Sequence, residues 1–106
     1  MLSPMVDLIQ KNRGVLADAC HRYEVARLDL FGSAASGTFE PTTSDLDFLV
    51  VFQRAGKLDA ADRYFGLLSE LEQLFGRKID LVDVRAHRNP YFMAEALKHR
   101  EMLYAA

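Results

Sequence analysis

The sequence predicts an α/β fold, a small mixed sheet with helices packed on it, in the order αβ(α)βαβα. Three observations carry this. Residues 58–75 repeat apolar side chains at helical spacing. Residues 46–52, LDFLVVF, form a strongly apolar run that reads as a buried central strand. Residues 26–31 and 79–84 alternate with the two-residue period of a strand. At 106 residues, 1–106 is expected to be a single domain, long enough for one core and too short for two.

Taken in order, Ser3-Pro4 opens a first helix, serine as cap and proline at the first helical position. Leu8, Ile9, Val15, Leu16, Ala19 and Cys20 recur at helical spacing as far as about Tyr23. Gly14 weakens the middle of that helix by about 1 kcal/mol relative to alanine. Ala26, Leu28 and Leu30 share one side of the next strand, which ends at Gly32-Ser33. Residues 34–43 are small and polar and read as a loop or a short helix plus turn. The run at 46–52 is interrupted only by Asp47. After a connection at 53–57 comes the amphipathic helix, with Tyr64, Leu68, Leu71 and Phe75 on its stripe and Gly76 as its stop. The third strand sets Ile79, Leu81 and Asp83 on one side and Asp80, Val82 and Val84 on the other. Asn89-Pro90 then starts a last helix expected to reach about Tyr104, with Phe92, Ala96 and Leu103 on one line and Met93, Leu97 and Tyr104 on the next. Core packing accounts for most of that wide apolar face, and its excess suits a partner or a homo-oligomer.

Composition narrows the function. Half of the residues are apolar and 26% are charged, as in an ordinary globular fold. No run approaches the ~20 apolar residues of a membrane span, and Asp7 interrupts any secretory signal, so no membrane partner is expected. The single cysteine, Cys20, excludes an internal disulfide and fits a reducing, cytoplasmic location. With 13 basic and 15 acidic side chains the net charge is −2, without the basic footprint of tight nucleic-acid binding. His21, His87 and His99 show no metal-ligand spacing. Arg85, His87 and Arg88 form a small basic cluster after the third strand, expected near the site described next.

That site centres on Asp45 and Asp47, a carboxylate pair at the entry to an apolar strand. Residues two apart in a strand project to the same face, so both carboxylates point together. Such like charges repel unless a cation lies between them, and oxygen-only ligands suit Mg²⁺ or Mn²⁺. Asp80, in IDLVDV, brings a third carboxylate to the same rim if its strand lies beside the first. Upstream, Gly32 lets the backbone approach a ligand and Ser33 adds a hydroxyl donor. A helix starting just after them would offer free N–H groups to a triphosphate. Each piece alone is ordinary: an isolated Asp-x-Asp is usually a solvated strand entry, and Gly-Ser after a strand is usually a turn.

Together, LFGSAASGTFEPTTSDLDFLVVF (30–52) and KIDLVD (78–83) resemble the nucleotidyltransferase superfamily that includes DNA polymerase beta. The resemblance is closest to the minimal nucleotidyltransferases (MNT) that serve as antitoxins in HEPN/MNT toxin–antitoxin pairs. It covers nearly the whole chain, including RNPYF (88–92) and the final EMLYAA. It implies a polymerase beta-like fold and a metal-dependent enzyme. In it Asp45 and Asp47 bind catalytic metals, Asp80 completes the site, and Gly32 and Ser33 hold the triphosphate. It also implies ATP as substrate, Mg²⁺ or Mn²⁺ as cofactor, and a HEPN-type toxin as partner, with a tyrosine that becomes adenylylated. The family often carries Ala-Arg-Gly where this chain has Ala35-Ser36-Gly37. That change removes a bidentate phosphate clamp, for which Arg54, Lys57 or a partner's cation would have to substitute. Two other functions compete: an inert antitoxin that acts by occlusion, favoured by Ser36, and a small-molecule nucleotidyltransferase, disfavoured by the lack of an acceptor-binding domain.

Overall fold

The computed structural model describes residues 9–32, 46–86, 89–98 and 100–106. Along them run helix α1 (Arg13–Arg22), strands β1 (Val25–Phe31) and β2 (Leu46–Phe52), helix α2 (Ala60–Phe75), strand β3 (Ile79–Asp83), helix α3 (Pro90–Lys98) and strand β4 (Glu101–Ala105). The strands make one four-stranded sheet in the order β3-β2-β1-β4. β1 is antiparallel to both β2 and β4, whereas β3 runs parallel to β2. The sheet is therefore mixed, as the sequence implied.

Local chemistry sets the helix ends. Asp59, in extended conformation, accepts the Asp62 N–H at 2.8 Å and caps α2. Gly76 closes that helix in the left-handed region at φ +63, its N–H bonded to the Glu72 carbonyl. The Asn89 side chain accepts the N–H groups of Tyr91 (3.0 Å) and Phe92 (3.2 Å), and Pro90 fills the first position of α3. The Ser3-Pro4 start of the first helix and the 34–43 segment lie outside the described residues.

The two faces of the sheet carry different cores. Leu28, Leu30, Leu46, Phe48, Val50 and Leu81 face α1 and α2, which add Leu16, Cys20, Leu67, Leu71 and Phe75. Phe48 stacks on Phe75, ring centroids 5.8 Å apart. Each fully buried leucine or phenylalanine contributes roughly 1.5–3 kcal/mol, so this cluster dominates stability. The opposite face holds a smaller cluster of Phe31, Leu49 and Ala96, with Val82, Val84, Phe92 and Met93 against it. Cys20 is fully buried, and burial pushes its thiol up to about 12, which makes it an inert core residue.

Three expectations need correction. The last helix stops at Lys98, and residues 101–105 form β4 on the free edge of β1, with Leu103 and Tyr104 entering the larger core. Without β4, the outer N–H and C=O groups of β1 would form an unpaired edge. Val15 is 54% exposed and takes no part in the core face of α1, whereas Leu67 is fully buried in α2 although it lies beside the expected stripe. No described helix is long and apolar enough to cross a membrane.

One junction orients α2. Glu24 has φ +60, which costs a non-glycine residue roughly 1–2 kcal/mol. There its carboxylate accepts the N–H groups of Lys57 (2.7 Å) and Leu58 (3.1 Å) and the Arg63 guanidinium (2.9 Å). Those donors, the Lys57 N–H first, hold its carboxyl below the usual 4.5. Gly56 lies against the same carboxylate, which a Cβ at that position would displace.

Candidate active site

Register decides which carboxylates meet. Asp47 is the direct partner of Asp80 in the parallel β2–β3 pair, and of Phe31 in the antiparallel β1–β2 pair. Leu49 and Val82, two residues beyond each aspartate, both belong to the smaller cluster. By strand alternation Asp47 and Asp80 therefore project on the α3 side of the sheet, while Phe48 and Leu81 enter the larger core. Adjacent strands lie about 4.8 Å apart, so the two carboxylates are close enough to repel and to share a cation. Asp47 is half-buried and Asp80 exposed, leaving the pair open to ligands.

Gly32 forms the third side of this corner. It ends β1 at φ +74, and a Cβ on it would fall 2.5 Å from Oδ2 and 3.3 Å from Cγ of Asp47. Glycine is needed there for two reasons, the left-handed backbone and the carboxylate packed against it. The close approach foreseen for Gly32 is thus, within the described residues, an approach to Asp47.

Gly32, Asp47 and Asp80 are brought together from three neighbouring strands. Asp45, Ser33 and Ser36 lie outside the described residues. Among the described residues no group of three His, Cys, Asp or Glu could hold a metal ion. Asp47 and Asp80 supply an oxygen-only pair to which Asp45, two positions before Asp47 in sequence, is the expected third member. Hard divalent cations of the Mg²⁺ or Mn²⁺ type fit such donors.

The proposed replacement cations are elsewhere. Arg54 follows Asp47 by seven residues, about 23 Å along an extended chain, beyond the far end of β2. Lys57 continues that connection, held by Glu24 through its backbone. Arg85 also belongs to the far end, where its guanidinium donates to the Phe52 carbonyl at 2.9 Å. The basic cluster was expected beside the site, but its described member serves to fasten the β3–α3 turn. His87 and Arg88 lie outside the described residues.

Two residues escaped the sequence reading. Lys78 is exposed, and its carbonyl accepts the Leu46 N–H (3.4 Å), which sets it at the same end of the sheet as Asp47. The available signal was its spacing two residues before Asp80, which strand alternation turns into a shared face. Asp29 is only 3% exposed, in the middle of β1. Arg27 Nε donates to both of its oxygens at 3.0 Å, and Arg100 approaches within 3.5 Å, so this buried charge ties β1 to the start of β4. A single aspartate in VARLDLF carried no signal of that pairing, because Arg100 is remote in sequence.

Tyr64 supports the third strand. Its hydroxyl donates to the Leu81 carbonyl at 2.6 Å, one residue beyond Asp80. Burial, then the charges of Asp80 and Asp83, raise its ionisation above the usual 10.0, so it stays a neutral donor.

Several known proteins are similar to this chain. Two Methanocaldococcus jannaschii proteins, provisionally named protein adenylyltransferases, are each 32% identical over 90 residues, 85% of this chain and 85% of theirs. A solved minimal nucleotidyltransferase superposes with a TM-score of 0.73 at 27% identity, covering 90% of this chain and 92% of its own. The fold also matches a toxin–antitoxin structure with AMP-PNP, with a TM-score of 0.66 at 23% identity over 90% of this chain and 74% of that one. A Shewanella oneidensis complex of a tri-AMPylated HEPN toxin with its MNT antitoxin matches at 0.63 and 20%, over 92% and 73%. Residues 15–106 match the family described as Polymerase beta, Nucleotidyltransferase. That match spans most of the chain, and the chain belongs to the polymerase beta-type nucleotidyltransferase family.

Proposed function

We propose that this protein transfers AMP from ATP to a hydroxyl on another protein, a tyrosine of a HEPN-type toxin, and thereby acts as a cytoplasmic antitoxin. The observation that carries the reading is the in-register Asp47–Asp80 pair at the corner closed by Gly32. The provisional names of the M. jannaschii relatives support a protein acceptor. The toxin–antitoxin neighbours support the partner class.

In the proposed step the acceptor oxygen forms a bond to the α-phosphorus, the bond to the bridging oxygen of the β-phosphate breaks, and pyrophosphate leaves with the electron pair. Asp80, on the exposed side of the pair, takes the acceptor's proton on a carboxylate oxygen. Asp45, Asp47 and Asp80 would hold Mg²⁺ or Mn²⁺, which would supply positive charge to the reacting phosphoryl group. Gly32 and Ser33 hold the triphosphate, and Lys78 adds a positive charge at the same end of the sheet. No domain for a small acceptor is needed if the acceptor arrives on a protein.

Co-expression with the product of the neighbouring gene, followed by intact-mass measurement of the co-purifying protein, tests this. The expected result is a mass gain of one or more adenylyl groups that disappears with Asp47→Asn. A co-purifying partner that is unmodified, yet equally neutralised by wild type and Asp47→Asn, would establish the occlusion reading that Ser36 favours. Mg²⁺ or Mn²⁺ with ATP should also raise the melting temperature by mass action. An equal rise in the Asp45→Asn/Asp47→Asn double variant would place the metal elsewhere.

A further inference from the structure

Away from the carboxylate corner, an open cavity of about 480 Å³ runs between the first turns of α2 and the outer edge of β3. Its described walls include Ala60, Ala61, Tyr64, Phe65, Val82 and Asp83. The volume falls within the ~300–1,000 Å³ range of ligand sites. Phe65 is 64% exposed although it is a large apolar side chain, and its ring meets that of Tyr64 edge-on at 5.1 Å. Nothing in the larger core requires Phe65 at this position, since α2 buries Leu67, Leu71 and Phe75.

Among the described wall residues the charged side chain is a carboxylate. Asp83 is in the wall, and Asp80 lies three residues before it on β3. The Asp80 and Asp83 charges reach the Tyr64 hydroxyl, which they help keep protonated. Among the described residues, the neighbouring Arg63 is committed to Glu24 and the Gln53 carbonyl, and Arg85 to the Phe52 carbonyl. Two aromatic rings, small residues for depth and the Asp83 carboxylate in the wall make a receptacle for the stem and charge of an arginine or lysine side chain.

Lys78 and Val84 turn their polar backbone atoms toward β2, so Leu81 faces outward. The outward carbonyls of Leu81 and Asp83 are already taken, by the Tyr64 hydroxyl and the Ala86 N–H, which makes this edge a poor template for a partner strand. A side chain is the better-suited guest. Position gives it a use. Val82 lies on the same face as Asp80, and Asp83 is three residues, about 10 Å, along the strand from Asp80. About three extended residues of a partner span that distance.

We propose that this cavity docks a basic side chain of the protein acceptor, an arginine or lysine lying about three residues from the hydroxyl that is presented at Asp47 and Asp80. The proposal rests on the reading that the acceptor is a protein, and its test is separable from that reading.

The probes are two short synthetic peptides carrying one tyrosine, with arginine or alanine three positions away, titrated into the full chain by calorimetry without ATP. The arginine peptide should bind roughly ten-fold more tightly at low salt, with the difference shrinking as salt rises. Phe65→Ala, at an exposed position, and Asp83→Asn, which keeps the oxygen that accepts the Arg85 N–H (3.0 Å), should each erase that preference without lowering the melting temperature. Equal affinity for both peptides overturns the proposal. So does free arginine binding as tightly as the peptide, which would mark a small-cation site. A dimer in solution that Phe65→Ala dissociates also overturns it, the occupant then being a second copy of this chain. If the arginine preference is found but no partner protein ever gains an adenylyl group, the docking surface stands and the transfer reading fails.

Discussion

Replacing Gly32 with alanine separates stability from catalysis more cleanly than any change at a carboxylate. The added Cβ would fall 2.5 Å from Oδ2 of Asp47, whereas ordinary contact begins at 3.4 Å, so the carboxylate must retreat by about 0.9 Å. An aspartate can rotate its oxygens away at little cost in folding, but it then leaves the position fixed by register with Asp80. Misplacing a reacting or ligating group by about 1 Å can cost 10²-fold in rate, and a loss of about 100-fold in kcat is the expected result. Stability falls separately, because alanine at φ +74 costs roughly 1–2 kcal/mol. For a domain of this size each kcal/mol lowers the melting temperature by about 4–8 °C. Gly76→Ala is the matched control, with φ +63 and no atom within 4 Å of the new Cβ. It should lose similar stability and keep full activity. Both variants are assayed by transfer of labelled adenylyl groups to the co-expressed partner and by thermal melting. A Gly32→Ala rate within a few-fold of wild type, or a Gly76→Ala rate equally depressed, refutes the argument that Gly32 acts through Asp47.

Asp47→Asn and Asp80→Asn should each abolish transfer while leaving the melting temperature unchanged or slightly raised, since like-charge repulsion is relieved; retained transfer in both sinks the site assignment. Glu24 tests the loop that orients α2. Its folded carboxyl titrates below the ordinary 4.5, so its contribution to stability is present above that pH and is lost as pH falls through the folded value. The difference in melting temperature between wild type and Glu24→Gln should accordingly be largest near neutrality and shrink in acid; a pH-independent difference would mean that charge is not what Glu24 supplies. Ser36→Arg, restoring the residue common in the family, should tighten ATP binding in the presence of Mg²⁺, where one charge-assisted contact is worth roughly 1.5–3 kcal/mol. Unchanged affinity by titration would show that Lys78 or a partner's cation already serves the phosphates.

Much of this protein was legible in its sequence because the deciding physics is local. Asp59, Gly76 and Asn89-Pro90 satisfy helix-end groups within a few residues of themselves, so the ends of α2 and the start of α3 follow from residue type. The run LDFLVVF gave β2 its bounds, and its two-residue period separated Asp47 from Phe48 before any partner strand was known. What the tertiary structure alone decided are the features that need residues distant in sequence. EMLYA has helical spacing as well as strand composition, and it becomes β4 because the free edge of β1 offers backbone partners that a longer α3 would leave unmet. Asp29 is tolerable in a buried strand only because Arg100 arrives there with Arg27. Arg54, a plausible clamp by sequence, and Arg85, expected near the site, are removed from the carboxylates by the length of the sheet. The meeting of Asp47 with Asp80 depends on a parallel register in which a slip of one residue would turn one carboxylate into the core.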